Sequence, residues 1–436
     1  MTQEHSLAGS FHSLGIGSRL LDILDNKKFT VPTPIQHQCI PHALEGKDMV
    51  GIAQTGTGKT LAYGIPLIQR LLKKGGQALI LVPTRELALQ AQEFLMAIGA
   101  PLGFKTEVVI GGVPGHVQIR GLRRKPHVVI ATPGRLIDHL QQNQYSLELV
   151  NAIILDEADR MFDIGFLPDI KRILHQAPTD RQTLLFSATM PAAIAEIAAK
   201  FMKMPLRIEV SPAGTAAKNV EQEIFIVDKQ TKIRLLEKIL NDTEGTALVF
   251  SRTKYAAKKI NRLVQAMGHT SAEIHSNRTL AQRKEALAGF KSGKYRVLVA
   301  TDIAARGIDV TGIALVINFD MPENNEDYVH RIGRTGRAGM EGKAISFATP
   351  DQRANIRQIE RLIKKTIPIL ALPKLAPESD ALMRAIYMGD SNRTSSPNNG
   401  YRGISSHRSS RGSSRRGYPG RRTSVGRGRS RSYSSR

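Results

Sequence analysis

From residue 48 to about 210 the chain alternates short apolar runs with amphipathic stretches, and from 222 to 349 it does so again. The first series is DMVGIA (48–53), QALILV (77–82), EVVIG (107–111), HVVIAT (127–132), AIILD (152–156) and QTLLFSA (182–188). The second is QEIFIV (222–227), ALVFS (247–251), RVLVAT (296–301), ALVINF (314–319) and AISFAT (344–349). Runs this short are strand-sized, and their β-branched, nearly continuous apolar character demands cover on both faces. The stretches between them, such as 84–98 and 253–268, are amphipathic and read as helices. Strand–helix alternation predicts a parallel sheet wrapped by helices, so the two series predict two α/β domains in tandem.

The first domain is expected over 1–212, the second over 221–370. Between them SPAGTAAKN (211–219) is small, polar and poor in helix formers, which predicts a flexible linker at 213–220. From 371 onward a disordered basic tail is expected, most evident past 390, where Ser, Arg and Gly leave too little apolar surface to fold. Residues 391–436 carry 12 Arg and neither Lys nor carboxylate, half of the formal net charge of +24. The other half lies on the body, so the whole chain suits a polyanion. Tyr401, Tyr418 and Tyr433 interleave the tail arginines and can stack on bases, favouring an RNA tether over a mere solubilising segment.

Several classes are set aside. No apolar run approaches the roughly 18 residues of a membrane helix. The opening MTQEHSLAGS has no charged-then-apolar signal pattern, and a cytoplasmic protein is expected. Cys39 is the only cysteine, which rules out an intramolecular disulfide and makes no thiolate metal cluster.

The unusual residues follow directly after strands, where ligands of open α/β sheets bind. AQTGTGKT (53–60) leaves the first strand and opens a helix, as a phosphate loop does. Gln54, Thr55, Gly56, Thr57 and Gly58 would wrap phosphates with backbone N–H groups, the glycines permitting close approach. Lys59 would reach the β and γ phosphates of ATP, and the Thr60 hydroxyl would bind Mg²⁺. LDEAD (155–159) ends a later strand. Asp156 there suits Mg²⁺ held through water, and Glu157 a water attacking the γ-phosphate. SAT (187–189) ends another strand, where Ser187 and Thr189 could bond Asp159.

The order of these motifs resembles the DEAD-box RNA helicases of superfamily 2, from about Phe11 to about residue 365. The resemblance implies two RecA-like domains that bind ATP and RNA across their cleft. FTVPTPIQ (29–36) resembles the family's adenine-reading motif: Gln36 would bond the adenine edge, Phe29 would pack nearby, and Phe11 is the upstream aromatic. Lys28 stands where the family usually has Gly. PTREL (83–87), GG (111–112) and TPGR (132–135) match the first-domain RNA motifs. Thr84, Arg85, Gly112, Thr132 and Arg135 would bind phosphates and sugars, giving recognition without sequence readout. FSRTK (250–254) resembles the fourth motif, with Thr253 on RNA and Arg283 as its downstream arginine. ATDIAARGID (300–309) matches the fifth: Thr301 and Arg306 toward RNA, Gly307 and Asp309 toward the nucleotide ribose. HRIGRTGR (330–337) matches the sixth, with Arg334 and Arg337 as arginine fingers and His330 linking the acidic and SAT motifs. Arg331 is its neighbour.

The activity implied is RNA-stimulated ATP hydrolysis with local, non-processive unwinding of short duplexes, on single strands and short duplex RNA. An ATP-gated clamp with little unwinding is the alternative. A DNA translocase of the same superfamily is disfavoured by Gln36 and Asp159. Within the family the chain resembles short bacterial RhlE-like members. That suggests ribosome assembly or RNA decay, with ribosomal or RNA-decay proteins as partners.

Overall fold

The computed structural model describes residues 9–54, 56–210, 220–305, 310, 312–336, 341–377 and 382–385. The first sheet is built from β1 (Met49–Ile52), β2 (Gln77–Leu81), β3 (Thr106–Val109), β4 (Val128–Ala131), β5 (Val150–Leu155), β6 (Gln182–Ser187) and β7 (Leu206–Glu209). The second is built from β8 (Val220–Ile226), β9 (Ala247–Phe250), β10 (Ser271–Ile274), β11 (Val297–Ala300), β12 (Leu315–Asn318), β13 (Gly342–Ala348) and β14 (Ile369–Leu370). Both sheets are parallel, with helices filling the crossovers. Their strand orders are β3-β4-β2-β5-β6-β1-β7 and β10-β11-β9-β12-β13-β8-β14. Ranked within its own lobe, the second order is the same as the first. Two RecA-like lobes therefore stand in tandem.

Central strands such as β2, β4 and β9 are buried along their whole length, as continuous apolar runs dictate. Each sheet carries an apolar cluster on either face. In the first lobe Ile80, Ile130 and Phe186 face one set of helices and Leu79, Val129 and Leu185 face the other. In the second lobe Leu248 and Val316 belong to one cluster, Val249 and Ile317 to the other.

The sequence reading missed β7, β10 and β14, each at a sheet edge. An edge strand pairs on one side only and needs less apolar character. In β7, Arg207 and Glu209 are exposed between partly buried Leu206 and buried Ile208.

Two expected boundaries move. Val220, placed in the linker, opens β8 and is buried; residues 211–219 lie outside the described residues. The tail expected from 371 begins later, because Arg234 donates to the carbonyls of Leu375 and Ala376 (3.1 and 2.8 Å). Further on, Leu382 is fully buried and Arg262 donates to the Ala385 carbonyl at 2.8 Å. Arginines on two helices thus hold this segment by its backbone carbonyls, which composition cannot reveal. Residues 391–436, including the three tail tyrosines, lie outside the described residues. No helix among those described is long and apolar enough to cross a membrane. Cys39 is fully buried, and burial pushes its thiol up to about 12.

Candidate functional site

Strand order sorts the motifs. β5, β6 and β1 are neighbours, so their carboxyl ends bring together Asp156–Glu157, Ser187–Thr189 and the phosphate loop. β3, β4 and β2 are neighbours on the other half, bringing together Gly111–Gly112, Thr132–Arg135 and Thr84–Arg85.

On the first half, the phosphate loop is held by its own atoms and by Thr33 and Gln36 from the segment before the first strand. Lys59 is buried, with Nζ donating to the Ala53 carbonyl at 3.1 Å. The Thr57 hydroxyl donates to Gln54 O at 2.8 Å, and the Thr33 hydroxyl to Thr57 O at 2.7 Å. Gln36 caps its own helix, accepting from Thr33 N (2.9 Å), while its Nε2 donates to Gly58 O (3.0 Å). Gly58 has φ of 87°, and a Cβ there would lie 2.2 Å from that Nε2. Only glycine allows both the turn and the contact. Phe29 is half-buried against Phe94, their ring centroids 6.1 Å apart, whereas Phe11 is a core residue. Lys28 takes φ of 62°, a left-handed conformation that glycine adopts without strain.

Glu157 also has a left-handed backbone, φ 54° and ψ 51°, where β5 turns into its helix. Its carboxylate pairs with Arg160 at 2.6 Å, both side chains buried. Asp156 Oδ2 accepts from Tyr63 at 3.0 Å, while its Oδ1 is buried with no partner among the described residues. Burial pushes the Asp156 carboxyl up to about 6, against the pull of Lys59. An orphaned carboxylate oxygen beside a phosphate loop fits a cation shared with phosphate and water. No cluster of three or more His, Cys, Asp or Glu that could hold a metal occurs among the described residues.

Asp159 joins β5 to β6. Its Oδ2 accepts from Ala188 N, Thr189 N and the Thr189 hydroxyl at 3.0, 2.9 and 3.1 Å, and its own N–H donates to Ser187 Oγ at 3.1 Å. Burial opposes its charge, yet His330, Lys59 and Arg160 together hold the carboxyl below its ordinary value. His330 belongs to the second lobe, and its Nδ1 lies 3.5 Å from Arg160 Nη2. The cleft is therefore bridged at the acidic motif.

HRIGRTGR divides by role. Arg331 turns inward: it pairs with both Asp302 oxygens (2.5 and 2.7 Å), donates to Asp320 O (2.6 Å) and lies over the Phe250 ring. Its negative charge comes from its own lobe. Arg334 is buried and donates to His330 O at 3.2 Å. Arg337 lies outside the described residues, as do Thr55, Arg306, Gly307 and Asp309.

On the half expected to meet RNA, Thr84 and Thr253 cap helices, accepting from Leu87 N and Ala256 N at 3.3 and 3.1 Å. Thr132 and Thr301 follow β4 and β11 at once. Arg85 lies against Gly111–Gly112; a Cβ on Gly112, whose φ is 82°, would sit 2.6 Å from its guanidinium. Arg135 donates to Val113 O at 3.0 Å. Gln118, which the sequence reading missed, ties these parts together. It is buried, donates to Ile110 O (2.7 Å) and Val113 O (3.2 Å), and accepts from Arg135 and His139. Arg283, expected on RNA, reaches across the lobes to Glu86 at 2.7 Å, both buried. They border a cleft of about 590 Å³ between the helices Arg85–Gly99 and Leu280–Lys291. A PTREL glutamate and a distant arginine carry no local signal of such pairing.

The DEAD/DEAH box helicase family model matches residues 33–197, and the helicase conserved C-terminal domain model matches 231–339. The chain belongs to the DEAD-box family. It is an ATP-dependent RNA helicase, a nucleotide- and RNA-binding hydrolase. It is 40% identical over 395 residues to the DEAD-box ATP-dependent RNA helicase CshA of Bacillus cereus, covering 90% of this chain and 75% of that protein. Among solved structures, S. cerevisiae Dbp5 bound to RNA and ADP BeF3 superposes with a TM-score of 0.76 at 28% identity, covering 83% of this chain and 95% of that one. A single-residue variant of the same yeast protein, bound to Gle1 and IP6, gives 0.66 at 27% identity, over 87% and 98%. In this DEAD-box chain the two lobes meet at the Arg160–His330 and Arg283–Glu86 contacts.

Proposed function

We propose that ATP occupies the β5–β6–β1 half of the first lobe and that the second lobe completes its site. The loop Gln54–Thr60 wraps the phosphates, Lys59 neutralises the β and γ groups, and Gln36 with Phe29 receives adenine. Asp156 and Thr60 hold Mg²⁺, which supplies positive charge against the phosphates when bound. Glu157, its carboxylate oriented by Arg160, takes the proton of the attacking water. Arg334 and Arg337 approach the γ-phosphate from the second lobe, while Gly307 and Asp309 lie at the ribose. Asp159, Ser187 and Thr189 pass lobe position to the acidic motif through His330.

RNA runs along the other halves of both lobes, touching Thr84, Arg85, Gly112, Thr132 and Arg135, then Thr253, Thr301, Arg306 and Arg283. For Arg283 this requires Glu86 to share its guanidinium with a phosphate. ATP and RNA each favour closed lobes and so raise each other's affinity. Closure distorts one strand and opens a short duplex locally, without processive travel. The observation that carries this reading is the separation of the two sets of strand ends on the first sheet, with His330 of the second lobe meeting Arg160 beside the acidic motif.

The cellular role fits ribonucleoprotein remodelling in the cytoplasm, in ribosome assembly or RNA decay, with proteins of those processes as partners. The Arg/Ser-rich segment after the second lobe favours the RhlE-like group, and acts as an RNA tether.

The test is phosphate release from ATP with RNA, with DNA and with neither. Stimulation by RNA alone, abolished in Glu157→Gln while ATP-dependent RNA binding persists, is expected. Loss of both in that variant would remove Glu157 from the chemistry. Turnover without strand separation would favour the clamp.

A further inference from the structure

The helix Lys254–Ala266 begins one residue after Thr253 and packs on the second sheet through Ala257, Ile260, Leu263 and Val264. Its opposite face is Tyr255, Lys258, Lys259 and Arg262, spaced i, i+3, i+4 and i+7, and all four are exposed. A face of lysines alone is the common dress of a solvated helix. Three features set this one apart.

First, no carboxylate among the described residues balances it. From Ser251 to Ala272 the chain holds no Asp or Glu. Neither Lys258 nor Lys259 meets an acidic group among the described residues, although surface lysines elsewhere do, as in Lys171–Glu196 and Lys238–Asp242. Second, Tyr255 is 69% exposed beside those cations, with Lys254 Nζ 5.3 Å from its ring centroid. A large aromatic left in water next to uncompensated charge suits an unpaired base stacked beside its phosphate. Third, the face continues the RNA track proposed above, on which this inference rests. Arg252 and Thr253 lie just before it, and at its far end Arg262 holds the Ala385 carbonyl at 2.8 Å. Six residues further along the chain the arginine-rich segment begins.

We propose that Tyr255, Lys258, Lys259 and Arg262 form an auxiliary site for single-stranded RNA, engaging the strand where it leaves the motif track at Thr253. Thirteen helical residues span about 20 Å, the reach of a few nucleotides. Single-stranded RNA is the fitting ligand because the tyrosine needs an unstacked base, while the cations take the backbone without reading sequence. The site lengthens the contacted strand beyond the cleft and does not touch ATP.

The experiment compares three oligonucleotides with the full chain and a non-hydrolysable ATP analogue: the shortest that fully stimulates ATP turnover, and that strand with a ten-nucleotide single-stranded extension at its 5′ end or at its 3′ end. The variants are Lys258→Glu/Lys259→Glu, Tyr255→Ala and Tyr255→Phe. Expected for the lysine pair is about a tenfold loss of affinity for one extended strand, with a salt slope shallower by about 1.4 for two phosphates. Tyr255→Ala should lose about fivefold, which Tyr255→Phe restores. The short strand should bind every variant alike and drive turnover at the normal rate, which also reports correct folding. Equal affinity of wild type and variants for both extended strands would overturn the proposal. So would an equal loss on short and extended strands, which would place the face within the cleft track.

Discussion

The two lobes share one strand order, yet they share only half of their chemistry. At the ends of the second and fourth strands they match. Thr84 and Thr253 each stand three residues past their strand and cap the next helix, and Thr132 and Thr301 each stand one residue past theirs. At the end of the first strand they part. After β1 the chain makes the glycine loop, whose helix N-terminus is left for phosphate. After β8 the same position is closed by Asp228, whose carboxylate accepts from Gln230 N and Thr231 N at 3.0 and 2.7 Å. An aspartate has taken the N–H groups that a phosphate would need. After the fifth strand, Asp156 and Glu157 in one lobe correspond to Asp320 in the other, which is spent on Lys232 and the Arg252 backbone. A polymer with repeating phosphates can use two copies of one surface. A single nucleotide needs one loop, and on the proposed reading the other lobe brings it arginines and a ribose contact rather than a second loop.

The comparison can be broken most severely at Glu157. Glu157→Gln should lower RNA-stimulated turnover by about 10²–10⁴-fold, read as phosphate release at saturating RNA, because the proposed reading places the general base in the first lobe alone. Comparable turnover in the variant would mean that the nucleotide chemistry is not confined to the first lobe. Next is the pair that joins the lobes. Glu86→Ala leaves Arg283 without its partner only when the lobes meet, so RNA affinity in the presence of an ATP analogue should fall by at least about tenfold. A double-mutant cycle with Arg283→Ala should give an interaction energy above about 0.5 kcal/mol; additive losses would show that the two do not couple.

Thr84→Val and Thr253→Val sharpen the claim of equivalence. Each should weaken RNA binding by a similar factor, about three- to tenfold, with the KM for ATP at saturating RNA little altered. A large effect in one lobe and none in the other would deny that the strand ends are used alike. Smallest is Asp228→Ala. Losing this cap should lower Tm by about 2–4 °C and leave ATP affinity untouched. The helix amides hold the Asp228 carboxyl below its ordinary value, so its stabilising effect is present above the unfolded carboxylate range and fades as pH falls through the folded pKa. A Tm difference between wild type and variant that persists unchanged into strong acid would contradict that account.

Much of this was legible in the sequence because it is local. The central strands announce themselves as apolar runs, and the phosphate loop, acidic motif and threonines are contiguous with strand ends. What was not legible is what distant residues do to one another. Arg331 reads only as a neighbour of the two arginine fingers, and nothing local shows that Asp302, 29 positions earlier, has claimed it. Arg160 is an unremarked arginine after LDEAD until His330 arrives from 170 residues away. Gln118 looks like any helix glutamine, and only the folded return of Ile110, Val113 and Arg135 reveals its place. The three missed strands are edges, where one free side weakens the apolar signature.

Cys39, sealed beneath the first lobe with a thiol that stays protonated, makes the protein optically convenient. Reagents that attack thiolates will pass it by at neutral pH. Two cysteines placed on exposed positions, such as Lys74→Cys on the first lobe and Glu244→Cys on the second, can take a donor and an acceptor dye in the otherwise natural chain. The opening and shutting of the cleft then becomes a distance followed one molecule at a time, with the native sulfur silent throughout.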